Sequence, residues 1–410
     1  MRLQFNRDTK LFLISTLLFG FAFSVWELFF NLYILSLGFS SDVLGLVRSA
    51  TPLAALILGL PLGLLSDRIG RRTSMLFGLL IGFIGMVFEV RLLSPALIFM
   101  FGLVQGAGFM LYQIAKPPFI MAITKEKNQA LVFSLNFGLL TVASMLGNII
   151  AGQAPGFFDR LFGVAARSPA SYQWVISAGI AFASLSLIPI FMISEPKKDI
   201  GRKLIRTPIK TVIKKLAGNP IVRRLAIINV ITGFGAALLI PYLNVFLRQK
   251  FQISDDLLGL IFSISSLLVF AGSMISSWLV KITRSRIIPT VATQSISIIF
   301  LFGLGFSPFL WMAALSLMLR NVLMQMSSPL LDNYAMLISE PETQGSIASV
   351  RGIGWQLGQT VGIFLSGIVQ TRFGFPPLFA ATGTLYAIAI FMTWTYFRPE
   401  EKKTPHAGKS

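Results

Sequence analysis

The sequence of 410 residues contains no cysteine, one histidine and few charged residues. Without cysteine the chain can form neither disulfides nor thiolate sites, whether catalytic or metal-binding. His406 lies in a polar C-terminal stretch, so neither a histidine proton relay nor a transition-metal site is expected. A G-x-x-x-x-G-K-[ST] phosphate loop is missing as well, which excludes direct use of ATP through that fold. Because no nucleophile stands beside a base, we predict neither an enzyme nor a bound cofactor.

Charged residues are scarce because the chain is strongly apolar. They make up 12% of the sequence, against roughly 25% in a soluble domain, while 54% of the residues are hydrophobic. Uninterrupted apolar runs reach the ~20 residues that a helix needs to cross a bilayer. The sequence therefore predicts an all-α membrane protein with twelve transmembrane helices, at 11–37, 44–65, 74–92, 95–115, 129–152, 172–193, 225–247, 257–280, 287–306, 309–335, 347–369 and 376–397.

The net charge of +19 is explained by the way the loops face. If the chain starts in the cytoplasm, Lys and Arg are roughly four times as frequent on the cytoplasmic side, with Arg48 assigned to the outer side. This distribution predicts a multi-pass protein of the cell inner membrane with both termini in the cytoplasm. A basic chain can also bind nucleic acid, but charge confined to the loops of one face is explained better by topology. The bilayer is thus an expected partner and nucleic acid is not.

The two halves of the sequence match each other at a nearly constant offset. Asn31 corresponds to Asn244, and the segment that starts at Asp42 corresponds to the one that starts at Asp256. A parallel repeat of six plus six spans is a common transporter architecture, in which the substrate binds between the halves near the midplane. We predict an N-terminal six-helix bundle, a basic cytoplasmic linker, a C-terminal six-helix bundle and a cytoplasmic tail, at 1–194, 195–224, 225–397 and 398–410.

The loop between spans 2 and 3 carries the most specific motif. It reads Gly63-Leu64-Leu65-Ser66-Asp67-Arg68-Ile69-Gly70-Arg71-Arg72. With this motif, the span count and the repeat, the chain resembles the major facilitator superfamily, whose signature in this loop is G-x-x-x-D-R-x-G-R-[RK]. The resemblance implies two pseudo-symmetric six-helix bundles and a cytoplasmic latch in which Asp67 pairs with the start of span 11. Two departures weaken a simple drug/proton antiporter assignment, because Gly102 replaces an arginine of span 4 and Gly147-Asn148 replaces a Gly-Pro pair.

Polar residues inside the spans are the candidate site, because a charge at mid-bilayer costs roughly 2.5–3.5 kcal/mol on insertion scales. Glu27 lies near the centre of span 1 with few cations nearby in sequence, and Arg320 lies near the middle of span 10. The resemblance implies that spans 1, 4, 7 and 10 line a central cavity. Its predicted wall consists of Glu27, Asn31, Gln105, Tyr112, Asn229, Asn244, Arg320, Asn321 and Gln325.

Several alternatives remain open for these residues. Glu27 either carries protons or is a hydrogen-bonded carboxyl that never titrates. Arg320 either pairs with Glu27 or binds an anionic substrate group, or it is a structural arginine bound to backbone carbonyls. Lys116 and Asp332 occupy similar depths near the cytoplasmic ends of spans 4 and 10, which predicts a gate salt bridge.

The function predicted from these features is secondary transport of a small molecule by alternating access. Few and mixed polar groups among aromatic residues favour an amphipathic solute, and Glu27 favours proton-coupled efflux. The alternatives are uptake or exchange of a small metabolite, an anionic one if Arg320 binds it, and a lysolipid flippase on the same fold. The fold needs no partner subunit, so a monomer is expected.

Overall fold

The computed structural model describes residues 5–194, 220–337 and 344–403, and these residues form helices joined by short connections. The helices before the basic linker are α1 (Arg7–Ser36), α2 (Ser41–Ile69), α3 (Arg71–Arg91), α4 (Pro95–Ile123), α5 (Gln129–Phe162), α6 (Pro169–Ser184) and α7 (Leu187–Met192). Those after it are α8 (Pro220–Leu239), α9 (Leu243–Phe251), α10 (Asp255–Thr283), α11 (Ile287–Phe306), α12 (Leu310–Leu337), α13 (Gln344–Phe373) and α14 (Pro376–Lys403). Short 3₁₀ segments at Glu126–Asn128 and Ile240–Tyr242 complete the order.

Helices occupy all twelve predicted spans, which confirms the fold class. Ten helical segments among the described residues are long and apolar enough to cross a membrane. The remaining spans, 309–335 and 347–369, correspond to α12 and α13. Most helices run past the predicted limits, because a helix continues into the polar residues at its ends after the apolar run has stopped.

Two spans are interrupted. The sixth consists of α6 and α7, which are separated at Leu185 and Ser186. The seventh consists of α8 and α9, separated by the 3₁₀ turn Ile240–Tyr242. Pro241 lies in that turn and has no backbone N–H to donate, which weakens the regular helical pattern at this point.

The helix ends show the expected local chemistry. The Asn6 side chain accepts a hydrogen bond from the Thr9 backbone N–H at 2.9 Å and so caps α1. Gly70 joins α2 to α3 with a φ of 97°, a conformation that a side chain would strain. The sharp turn in the loop motif therefore depends on this glycine.

The chain divides into two compact units. The first contains α1 to α7 together with Tyr242–Leu267, which is α9 and the first half of α10. In it α1 packs against α5 and α6, while α4 packs against α2 and α3. The second contains α8, the rest of α10 and α11 to α14. In it α8 packs against α13 and α14, and α11 against α12 and α14.

Glycines set the closest helix contacts within each unit. A Cβ added at Gly85 of α3 would lie 2.6 Å from the backbone N of Gln105 on α4. A Cβ added at Gly354 of α13 would lie 3.0 Å from the carbonyl O of Ala226 on α8. The glycines Gly354, Gly358 and Gly362 of span 11 thus pack against α8, the first part of span 7. Such contacts bring two helix backbones together where any side chain would hold them apart.

Candidate functional site

An ion pair lies inside the first unit at membrane depth. The Arg48 Nη2 of α2 is 2.8 Å from the Glu27 Oε2 of α1, and Nη1 is 3.4 Å from Oε1. At 1.5 Å per residue, Glu27 is about 14 Å from the C-terminal end of α1 and Arg48 about 10 Å from the N-terminal end of α2. The Arg48 side chain is 14% exposed and that of Glu27 45%. Arg48, which the charge count placed on the outer side, therefore lies within α2, and Glu27 has a cation beside it although few are near it in sequence.

A second carboxyl lies close to this pair. Glu89, near the end of α3, is 1% exposed, and its Oε1 has no hydrogen-bond partner among the described residues. Its Oε2 faces α4 at Gly102, where an added Cβ would lie 3.5 Å away. Arg48 interacts electrostatically with Glu89 as well as with Glu27. The same added Cβ would lie 3.6 Å from the carbonyl O of Val47, the residue before Arg48, so Glu89 lies close to the backbone that carries this arginine.

The buried amides of Asn31 and Asn244 bind each other beside the ion pair. Asn31 Nδ2 donates to Asn244 Oδ1 at 3.1 Å, and Asn244 Nδ2 donates to the carbonyl O of Leu28 at 2.8 Å. Asn31 is 1% exposed. These bonds attach α9 to α1, so the repeat-related asparagines, both predicted to line the cavity, meet in one cluster.

Further polar contacts within the first unit lie at the C-terminal end of α9 and the N-terminal end of α10. Arg248 of α9 forms an ion pair with Asp255 of α10, and the Tyr172 hydroxyl of α6 lies 3.3 Å from the same carboxylate. Arg167 Nη2 donates to the carbonyl O of Ile253 at 3.3 Å. Sequence reasoning missed this group because its charges belong to loops and helix ends.

The predicted site residues of α4 make their own contacts, apart from those of the ion pair. Gln105 is buried and accepts a hydrogen bond from the Thr51 hydroxyl at 2.9 Å. Tyr112 is buried, and the Lys116 Nζ lies 5.5 Å from its ring centroid. The proposed partner of Lys116 is Asp332, whose side chain lies outside the described residues.

In the second unit Arg320 is 5% exposed and bound on both terminal nitrogens. Its Nη2 donates to the Tyr386 hydroxyl O at 2.7 Å and its Nη1 to Asn321 Oδ1 at 3.0 Å. Gln325 of the same helix is exposed. Asn229 is half-buried and donates to the carbonyl O of Leu225 on its own helix at 2.9 Å. These contacts favour a structural contribution of Arg320 to its own bundle.

The loop motif makes mainly local contacts. Asp67 Oδ1 lies 3.2 Å from Arg71 Nη2, with both side chains partly exposed, and Arg68 is exposed. Arg72 donates to the carbonyl O of Ile190 at 3.2 Å and to that of Phe191, so it binds the C-terminal end of α7. An added Cβ at Gly63 would meet nothing within 4 Å. The latch between Asp67 and span 11 stays a prediction.

At the ion pair, sequence reasoning did not include Arg48 and Glu89 in the site. A signal for Glu89 exists, because Gly85 precedes it by one helical turn and a glycine marks the face that meets a neighbouring helix. A carboxyl on such a face is buried on folding. Arg48 offers no comparable pattern.

Comparison with known proteins agrees with the fold. The family model described as "Major Facilitator Superfamily" matches residues 12–228 and 225–410. No curated protein sequence matches the chain. Similar solved structures include a point mutant of the nucleoside transporter NupG, with a TM-score of 0.73, 16% identity and coverage of 96% of this chain and 100% of that one.

Two further structures are similar over nearly their full length. A D-xylose-proton symporter gives a TM-score of 0.71 at 15% identity and covers 95% of this chain and 97% of its own. A bacterial homologue of the human lysosomal transporter Spinster, inward-facing and unoccupied, gives 0.69 at 14% identity and covers 96% and 95%. The family match, the helical membrane fold and these transporter neighbours indicate a multi-pass transporter and not an enzyme. The chain therefore belongs to the major facilitator superfamily of secondary transporters.

Proposed function

We propose that this protein exports an amphipathic small solute in exchange for protons, by alternating access. The observation that supports this most is the Glu27–Arg48 ion pair at membrane depth. A charge inside a membrane is costly and usually marks a transport or proton pathway. The Glu27 side chain is 45% exposed, so its carboxylate is accessible to water as well as to the arginine.

The surroundings of the predicted cavity residues of α1 and α4 favour an amphipathic solute, because they are rich in aromatic rings. The Phe19 ring lies 5.7 Å from that of Phe109 and 5.5 Å from that of Tyr112, measured between centroids. Such a wall offers apolar contact area with a few hydrogen-bonding groups, which suits a molecule of mixed character better than a sugar.

Docking of α9 and α10 in the first unit supports an alternating mechanism. We assign the bonds of Asn244 to α1 and of Arg248 to Asp255 to the closed state of the outer side, and the latch at Asp67 and the pair Lys116–Asp332 to the opposite state. In this proposal a monomer lies in the cell inner membrane with both termini in the cytoplasm. Because the chain has no cysteine, single cysteines at Ala166 and Lys125 would test the orientation by labelling from outside.

The alternative, transport of a small anionic metabolite, depends on Arg320. Both of its terminal nitrogens are engaged by Tyr386 and Asn321, so an anion would have to displace one of them. If Arg320→Ala leaves transport unchanged, this alternative fails.

The proposal is tested with purified protein in proteoliposomes under an imposed pH gradient. A panel of lipophilic cations, organic anions, sugars and lysolipids is first screened by thermal stabilisation, since a ligand at 100 times its dissociation constant adds about 2.7 kcal/mol. The stabilising compound is then assayed for transport by wild type, Glu27→Gln and Glu126→Gln, an exposed glutamate outside the site that serves as matched control.

In wild type and in Glu126→Gln we expect a lipophilic compound to move in the direction opposite to the flow of protons. In Glu27→Gln we expect the pH gradient no longer to drive this movement. Stabilisation by sugars or small anions alone, with Glu27→Gln equal to wild type, would refute export coupled to Glu27.

A further inference from the structure

In the first unit Arg48 is the counter-ion of two carboxyls, Glu27 and Glu89, so the charges of these three side chains do not balance. If Glu27 and Glu89 were both ionised, the three side chains would carry a net charge of −1, and the buried carboxylate of Glu89 would have no hydrogen-bonded cation, which is unfavourable. Arg48 forms its hydrogen bonds with Glu27, at 2.8 and 3.4 Å. Glu89 is 1% exposed, and its Oε1 lacks a hydrogen-bond partner among the described residues. The cluster becomes neutral when Glu89 holds one proton.

The packing around Glu89 leaves Arg48 as the cation that acts on it among the described residues. Arg91 on the same helix is exposed at its outer end. On α4, Gly102 lies against the Glu89 carboxyl. At the next residue, Val90, the carbonyl O accepts hydrogen bonds from Tyr33 of α1 and Gln173 of α6. None of these replaces Arg48 as counter-ion for an ionised Glu89. The charge state of Glu89 therefore depends on where Arg48 is bound.

We propose that Glu27, Arg48 and Glu89 form a site for one shared proton, in which Glu89 is protonated while Arg48 binds Glu27. When Arg48 turns to Glu89, the O–H bond of Glu89 breaks, an O–H bond forms on Glu27, and the net charge stays at zero. Glu27, 45% exposed, then exchanges that proton with water, whereas Glu89 cannot do so directly. This inference deepens the proposed proton coupling and rests on it for its role in transport.

The test uses infrared spectroscopy of the full chain in liposomes, because a protonated carboxylic acid has its own carbonyl stretching band. Near neutral pH the wild type should show this band, and Glu89→Gln should lose it. Glu27→Gln should lose it too, since a neutral residue 27 releases Arg48 to Glu89, which then ionises. Glu126→Gln, the exposed control, should retain it.

Persistence of the band in Glu89→Gln, or an unchanged band in Glu27→Gln, would overturn the shared-proton site. If Glu89→Gln does not fold, Glu89→Asp keeps the carboxyl and should shift the band; an unshifted band counts against the proposal. If the variants show these band changes but the wild type moves no solute under a pH gradient, proton-coupled export is refuted and the shared-proton site remains supported.

Discussion

The close contact of α3 with α4 leads to a quantitative prediction for Gly85→Ala. The new Cβ would lie 2.6 Å from the backbone N of Gln105 and 2.8 Å from its Cα. Carbon contacts are comfortable at about 3.5–4.0 Å, so the two helices must separate by roughly 1 Å. A backbone cannot rotate away as a side chain can, and overpacking of this kind costs about 1–3 kcal/mol.

Alanine stabilises a helix relative to glycine by about 0.5–1 kcal/mol, which offsets part of this cost. The difference is a net destabilisation of roughly 0–2.5 kcal/mol, and the middle of the two ranges gives about 1 kcal/mol. For a unit of this size each kcal/mol lowers the melting temperature by roughly 2–4 °C, so a decrease of about 2–4 °C is expected.

Thermal unfolding of the purified protein in detergent measures this effect. Gly156→Ala is the matched control, because Gly156 is an exposed glycine of α5 whose added Cβ would meet nothing within 4 Å. It should leave the melting temperature unchanged or raise it slightly. Equal shifts in both variants would show that the α3–α4 contact is not limited by Gly85.

Two further predictions concern buried hydrogen bonds and use the same thermal measurement. Asn244→Leu removes the acceptor that the Asn31 amide binds and should cost about 1–3 kcal/mol, whereas Asn229→Leu, whose amide donates within its own helix, should cost less. Glu401→Gln removes a buried carboxylate that accepts from backbone and hydroxyl donors at the start of α11, and should lower the melting temperature more than Glu400→Gln, whose ion pair is about one-third exposed. Similar shifts within either pair would contradict the assigned hydrogen bonds.

The positions of the spans could be predicted because the thickness of the bilayer imposes one length on every apolar run. The interruptions could not. Pro241 lies in the 3₁₀ turn that breaks the seventh span, yet Pro52 and Pro61 lie inside the continuous helix α2. A proline removes the same donor in each case, and packing against neighbouring helices decides whether the helix continues.

The candidate site was only partly visible in the sequence. The repeat identified Asn31 and Asn244 as related, and the structure joins them by a hydrogen bond. The repeat gave no indication that Glu27 binds Arg48, because the direction in which a side chain leaves its helix depends on contacts between residues distant in sequence. Arg320 shows the same limit, since burial against Tyr386 places it in its own bundle.

The charges at membrane depth are more informative as a group than one by one. Considered alone, Glu27 has the properties of a free proton carrier, but the structure pairs it with Arg48, and that pair alone is neutral. The excess charge in this region therefore belongs to Glu89, which lies near the end of its span and so is not marked as a site residue by its predicted depth in the membrane. A buried carboxyl left without a counter-ion must bind a proton, recruit the arginine or be destabilising. Because the hydrogen bonds of Arg48 go to Glu27, the shared-proton site that we propose assigns the proton to the buried Glu89.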